Sequence, residues 1–245
     1  MSASRPPRFL VPHDAISADR VVLTGDERHH LRVRRVRQGD TIELLDDHGR
    51  VFRGEVTSLT AERAEVAIRE RITDGHESPL DLTLAVAALK GDKLDLVIEK
   101  AVELGVTRVV VFSSDRSLGH PSPARLQRWQ RIAVSAAKQC GRSRVPAIEG
   151  PEPIQSVASR SADVRVVCWE GHPTNAPAPP PTHASSVLVI VGPEGGFTHE
   201  EIEALRLTGV QSISLGPRIL RGETAAIVAV ALAQARWGDI RTHFA

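Results

Sequence analysis

The feature that most restricts the fold of this 245-residue chain is the order of its hydrophobic periods after residue 80. There, short apolar runs alternate with segments whose apolar residues recur every three or four positions. DLTLAVAAL, from Asp81, reads as a buried strand. Asp92 to Leu104 reads as a helix with Leu94, Val97, Ile98, Ala101 and Val102 on one face and Gly105 closing it. TRVVVFSS, VRVVCWE, VLVIV and VQSISL follow as strands, with helices expected over Pro123–Cys140, from a Thr198/Glu201 capping box to Thr208, and over Glu223–Trp237. Strands separated by helices make a mainly parallel sheet covered on both faces, and ligands of such sheets bind at the carboxyl ends of the strands.

Residues up to 72 follow another rule. RVVLT, TIELLDD, RVFRGEVTSL and AEVAIRER alternate with period two or form short apolar runs, and one short basic helix begins at Asp26. This predicts a small β-barrel over 1–72, a linker over 73–79 (TDGHESP) and a second, α/β domain over 80–245. The Pro-rich stretch 172–182 reads as a loop.

Lys and Arg total 31 against 30 Asp and Glu, a formal charge of +1, which argues against a protein that simply coats nucleic acid. The average conceals two acid-free patches. One holds Arg28, Arg32, Arg34, Arg35 and Arg37; the other runs from Arg116 through Ile148 and includes Arg142 and Arg144. Such local excess favours contacts with a polyanion. With three Trp, five Phe and no Tyr, recognition by shape and phosphate is favoured over stacking on successive bases. Cys140 and Cys168 are too few for a disulfide framework or a Cys-rich zinc site, the ten histidines lack metal-ligand spacing, and no run is long enough to span a membrane. A cytoplasmic protein without a metal is expected.

Two loops carry the chemistry. VIVGPEGGFTHEE leads from a strand into a capped helix through Gly192, Gly195 and Gly196, and SLGPRILRGETAA repeats the arrangement with Gly216-Pro217. Neither a phosphate-loop lysine nor a GxGxxG pattern is present. The two turns together suit one pocket in which backbone groups read a planar base and Leu215, Ile219 and Leu220 pack on it, as an adenosine-like ligand requires. Arg218 and Arg221 would stand at its mouth, paired with Glu194 or Glu223 or free to contact substrate.

GPEGGFTHEE, LGPRILRGETA, KLDLVIEKAVELGV and RWQRIAVSAAKQCGRSRVP, in that constellation, resemble the RsmE family, whose members are 16S ribosomal RNA (uracil(1498)-N3)-methyltransferases of the SPOUT class. The resemblance spans nearly the whole chain. It implies S-adenosylmethionine as cofactor, 16S rRNA of the small ribosomal subunit as partner, a PUA-like RNA-binding barrel, a SPOUT-type trefoil-knotted parallel sheet with flanking helices, and a homodimer. Transferred motif by motif, it implies a cofactor site at Trp169, Val191, Gly192, Gly195, Gly196, Leu215, Gly216 and Leu220. The RNA face then comprises Arg28, Arg32, Arg34, Arg35, Arg116, Arg142 and Arg144.

Methylation of uracil N3 needs removal of the N3 proton or stabilisation of the resulting anion. Arg221 is expected to stabilise that anion, with Glu194 or Glu223 as proton acceptor or its orienter. Methylation at carbon 5 would need a cysteine nucleophile, and neither cysteine lies in the two turns. Two other functions remain in view: a non-catalytic RNA-binding assembly factor, which would not bind S-adenosylmethionine, and a nucleotide-binding enzyme, which would want an acidic pair and a phosphate lysine that the sequence does not display.

Overall fold

A computed structural model of the chain describes residues 6–17, 19–46, 49–72, 77–117, 121–171 and 181–241. Most of the expected linker and of the Pro-rich stretch lies outside these residues. The contacts separate two units, Met1–Glu77 with Ala137–Val145, and Ser78–Ala136 with Pro146–Ala245.

The first unit contains β1 (Arg8–Val11), β2 (Arg20–Leu23), α1 (Gly25–Val33), β3 (Thr41–Asp46), β4 (Val51–Leu59) and β5 (Ala64–Ile72). They form one sheet in the order β1-β3-β4-β5-β2, antiparallel except for the β1–β3 pair. Strand β1 was not anticipated, because four residues between prolines show no period. Register shifts in the β4–β5 ladder after Arg53 and Val56 mark irregularities of the kind that bend a sheet. Phe9, Leu31, Ile42, Leu44, Val56 and Val66 fill the core. Arg8 and Glu43, both buried, pair at 2.7 Å, and Arg8 also donates to the Arg142 carbonyl at 2.9 Å.

The second unit contains β6 (Asp81–Ala87), α2 (Lys93–Glu103), β7 (Arg108–Ser113), most of α3 (Pro123–Cys140), β8 (Ala147–Pro153), α4 (Ile154–Ala158), β9 (Val164–Cys168), β10 (Ser186–Val191), α5 (His199–Leu207), β11 (Gln211–Ile213) and α6 (Gly222–Trp237). Its sheet runs β11-β9-β10-β6-β7-β8. Strand β8 was missed because Gly150, Pro151 and Pro153 read as loop; they are tolerated at the sheet edge, where β8 bonds only to β7. Helix α4, at five residues, is too short to show a period.

Every pairing in this second sheet is parallel, so all strands present their carboxyl ends at one edge. Val86, Val191, Cys168 and Ile213 stand side by side there, in register across β6, β10, β9 and β11. The chain segments that leave these four strands therefore converge. Among the described residues no helix is long and apolar enough to cross a membrane.

Candidate active site

The convergence encloses a cavity of about 610 Å³, within the range typical of small-molecule sites. Strand β10 delivers Val191 and the turn Gly192–Gly196, β9 delivers Cys168, Trp169 and Glu170, and β11 delivers Ser214, Leu215 and Gly216. The two Gly-Pro turns thus line a single hollow. Each needs a glycine in the left-handed region, Gly196 at φ +69° and Gly216 at φ +109°, where a β-carbon costs roughly 1–2 kcal/mol. The first turn closes through the Gly196 N–H on the Pro193 carbonyl at 2.9 Å. It then enters α5 through a reciprocal cap: the Glu201 N–H donates to Thr198 Oγ1 at 3.2 Å and the Thr198 N–H to Glu201 Oε2 at 2.8 Å. The free oxygen of that carboxylate accepts the Asp115 N–H at 3.0 Å, which ties the turn to the loop after β7.

All eight residues assigned to the cofactor from sequence, Trp169, Val191, Gly192, Gly195, Gly196, Leu215, Gly216 and Leu220, lie on this cavity. So do Arg221 and Glu194. Glu223 does not; it stands behind Lys93, a cavity residue that the sequence reading overlooked. Lys93 Nζ donates to Glu194 Oε1 at 2.8 Å and lies 3.9 Å from Glu223 Oε2, which is buried and meets no hydrogen-bond donor among the described residues. Glu194 Oε1 also accepts the Lys90 N–H at 3.0 Å. Burial pushes the Glu194 carboxyl up, but the Lys93 ammonium and the Lys90 N–H outweigh it and hold the group below the usual carboxylate range. Glu194 is therefore ionised at neutral pH and a weak proton acceptor, which leaves it better suited to orient Lys93. Lys93 belongs to none of the motifs read as chemical in the sequence. Its signal was indirect: Lys93 follows β6, one of the strands whose carboxyl end reaches the site.

Neither Arg218 nor Arg221 takes Glu194 or Glu223 as partner, and among the described residues neither forms an ion pair. Both are exposed and line the cavity, and Arg221 caps α6 by its carbonyl, which accepts the Ala225 N–H at 2.8 Å. Cys168 lies outside the two glycine turns, at the end of β9, but it too lines the cavity. Burial pushes its thiol up to about 12, so it is protonated at neutral pH and unsuited to nucleophilic attack. Among the described residues no group of three His, Cys, Asp or Glu side chains is placed to hold a metal ion.

The basic patches sort differently. Arg32, Arg34 and Arg35 are exposed at the end of α1, and Arg28 is half-buried with its Nε donating to the Thr60 carbonyl at 2.7 Å. Arg116 and Arg144 are exposed; Arg116 Nη1 donates to the Gly195 carbonyl at 3.0 Å, beside the cavity. Arg142 requires correction as a surface contact. It is 3% exposed, and its guanidinium donates to Glu77 from Nη2 at 2.7 Å and from Nε at 3.2 Å. The segment from Arg116 to Ile148 contains no acid, yet the fold supplies some: Asp95 pairs with Arg128, and Glu27 with Lys138.

Comparison with known proteins agrees with this architecture. The family model described as an RNA methyltransferase domain matches residues 76–234, and that of an RNA methyltransferase PUA domain matches residues 23–69. The chain is thus a two-part RNA methyltransferase of SPOUT-type α/β fold preceded by a PUA-like sheet. Ribosomal RNA small subunit methyltransferase E of Synechocystis is 34% identical over 91% of this chain and 76% of its own length. The protein of that name from Bacillus subtilis is 32% identical over 85% and 87%. The crystal structure of the Neisseria gonorrhoeae enzyme of the same name, bound to S-adenosyl methionine, matches with a TM-score of 0.84 at 34% identity, covering 97% of this chain and all of that one (100%). A putative methyltransferase of Legionella pneumophila in complex with the same cofactor matches at 0.85 and 29% identity, covering 96% and 100%. The chain belongs to the ribosomal RNA small subunit methyltransferase E family.

Proposed function

We propose that this protein methylates N3 of a uridine in the 16S rRNA of the small ribosomal subunit, uracil 1498 in the family's enzyme name, using S-adenosylmethionine, as a homodimer in the cytoplasm. One observation carries the proposal: two turns distant in sequence, Gly192–Gly196 and Leu215–Leu220, line one cavity at the carboxyl edge of a parallel sheet. The cavity fits the cofactor. Its volume of about 610 Å³ accommodates an adenosine-sized group, Val191, Leu215 and Leu220 offer apolar contact for a base, and the Glu170 carboxylate suits a ligand bearing positive charge. When bound, S-adenosylmethionine supplies a methyl group on a positively charged sulfur.

The chain's own residues do the rest. The turn backbones hold the base, Arg221 at the cavity stabilises negative charge on the target uracil, and Glu194 orients Lys93. The exposed Arg32, Arg34 and Arg35, with Arg28, Arg116 and Arg144, provide phosphate contacts. A paired target base must be turned out of its stack to reach the site. The homodimer reading is supported by α6, which carries no charged residue between Glu223 and Arg236 and leaves Leu232 54% exposed. The test is incubation with labelled S-adenosylmethionine and either small subunits or naked 16S rRNA, followed by nucleoside analysis. The expected product is 3-methyluridine at one position; absence of label from both RNAs refutes the proposal.

A further inference from the structure

Three cationic side chains line the cavity, Lys93, Arg218 and Arg221, against two carboxylates, Glu170 and Glu194. Among the described residues, Lys93 alone of the three forms an ion pair. Its ammonium has three N–H donors; Glu194 Oε1 accepts one at 2.8 Å, and Glu223 Oε2 at 3.9 Å is beyond hydrogen-bond reach. Donor capacity is therefore left over on a side chain that faces the cavity. The carboxylates lie on two other segments, the turn after β10 and the first turn of α6, so the ammonium is oriented from two directions.

We infer that Lys93 is a further catalytic residue: its ammonium donates to a carbonyl oxygen beside N3 of the target uracil and stabilises the anion that accepts the methyl group. The inference rests on the methylation proposed above. In chemical terms, the N3 proton leaves to solvent water, and the negative charge spreads over N3 and its two flanking carbonyl oxygens. The N3 electron pair then forms the bond to the methyl carbon as the carbon–sulfur bond breaks, leaving that bond's electrons on a neutral thioether. Lys93 keeps its proton throughout. A fixed cation beside a forming anion lowers the cost of ionisation. Glu194, held ionised by the same lysine, is a poor candidate for taking the N3 proton, so anion stabilisation becomes the demand to be met. Facing Lys93 are Glu194 from the β10 turn and Glu223 from α6, with Arg218, Arg221 and Glu170 sharing its cavity.

The experiment measures turnover against pH for the full-length protein and its Lys93→Gln and Lys93→Arg variants. Substrates are small subunits carrying uridine and subunits from cells grown with 5-fluorouracil, whose fluorine makes N3–H more acidic. Removing one such donor should lower turnover on uridine subunits near neutral pH by roughly a hundredfold to a thousandfold. Affinity for S-adenosylmethionine and KM for subunits should be unchanged, the rise of rate with pH should shift upward, and fluorinated subunits should recover most of the loss. Lys93→Arg, which keeps the charge, should retain most activity. A second readout needs no methyl donor: wild type should bind fluorinated subunits more tightly at alkaline than at acidic pH, and in Lys93→Gln that dependence should weaken to the share Arg221 supplies. Equal loss on both substrates at every pH, or no loss, overturns the role of Lys93 while 3-methyluridine from the wild type still upholds the reaction. A wild-type product other than 3-methyluridine overturns both.

Discussion

Replacing Arg142 with alanine separates a structural ion pair from an RNA contact. The guanidinium is 3% exposed and donates at least two good hydrogen bonds to Glu77, whose carboxylate also accepts the Ser143 N–H at 2.8 Å and the Arg144 N–H at 2.9 Å. Breaking a buried pair by removing one partner costs about 3–5 kcal/mol. Here the Glu77 side chain is 20% exposed and keeps two backbone donors, so the stranded charge is partly compensated and about 2–3 kcal/mol is expected. The effect has a definite pH dependence. Burial raises the Glu77 pKa, but Arg142 and the neighbouring N–H groups outweigh it, so the folded value lies below the ordinary 4.5. A carboxyl depressed in this way contributes its stability above 4.5 and loses it as pH falls through the folded value, so the gap between wild type and variant should be constant near neutrality and shrink in acid. All three tryptophans, Trp129, Trp169 and Trp237, belong to the second unit, so their fluorescence does not report on the first unit directly. Hydrogen exchange of peptides from 137–145 and from β3 and β4, with urea melts followed by circular dichroism, reads it directly. Unchanged exchange, together with a salt slope of RNA binding reduced by about one, would show Arg142 to be a phosphate ligand and refute the assignment.

Other substitutions probe the site and the basic surface. Arg221→Ala should abolish turnover while calorimetric affinity for S-adenosylmethionine is preserved; unchanged turnover removes Arg221 from the mechanism. Thr198→Ala removes the side-chain half of the α5 cap and should cost about 1 kcal/mol in thermal unfolding, and because the cap ends the Gly192–Gly196 turn, cofactor affinity should fall with it. Arg35 adopts φ 55°, a conformation that favours glycine, so Arg35→Gly should stabilise the first unit by up to about 1 kcal/mol in urea melts while weakening RNA binding and lowering its salt slope.

The parallel sheet was legible because its strands are short, apolar and separated by amphipathic helices; buried parallel strands such as VLVIV have no polar face to obscure them. The two glycine turns were legible because left-handed backbone after a strand demands glycine, and Gly196 and Gly216 supply it. Strand β8 was not, since Gly150, Pro151 and Pro153 deny it any internal signal and only its place at the sheet edge makes it a strand. Arg142 was misplaced for a related reason. Counting charge along a segment ignores what the fold brings to it, and Glu77 comes from 65 residues earlier in the chain.

Lys93 is the sharpest case of this limit. Its partner Glu194 is 101 residues away, and nothing local at either position distinguishes them from solvated surface residues. What joins them is the adjacency of β6 and β10, whose carboxyl ends must lie together once the two strands pair in parallel with Val86 opposite Val191. Strand order therefore carries information about the cavity lining that residue order does not. A basic or acidic residue in the first loop or helix turn after any strand of this sheet is a site candidate, provided that strand neighbours one bearing a glycine turn. Of the strands bordering β10, β9 meets that condition with Glu170 and β6 with Lys93, and both residues line the cavity. Strand β8 ends at the far edge of the sheet, and neither Gln155 nor any other residue of the α4 turn that follows it reaches the cavity.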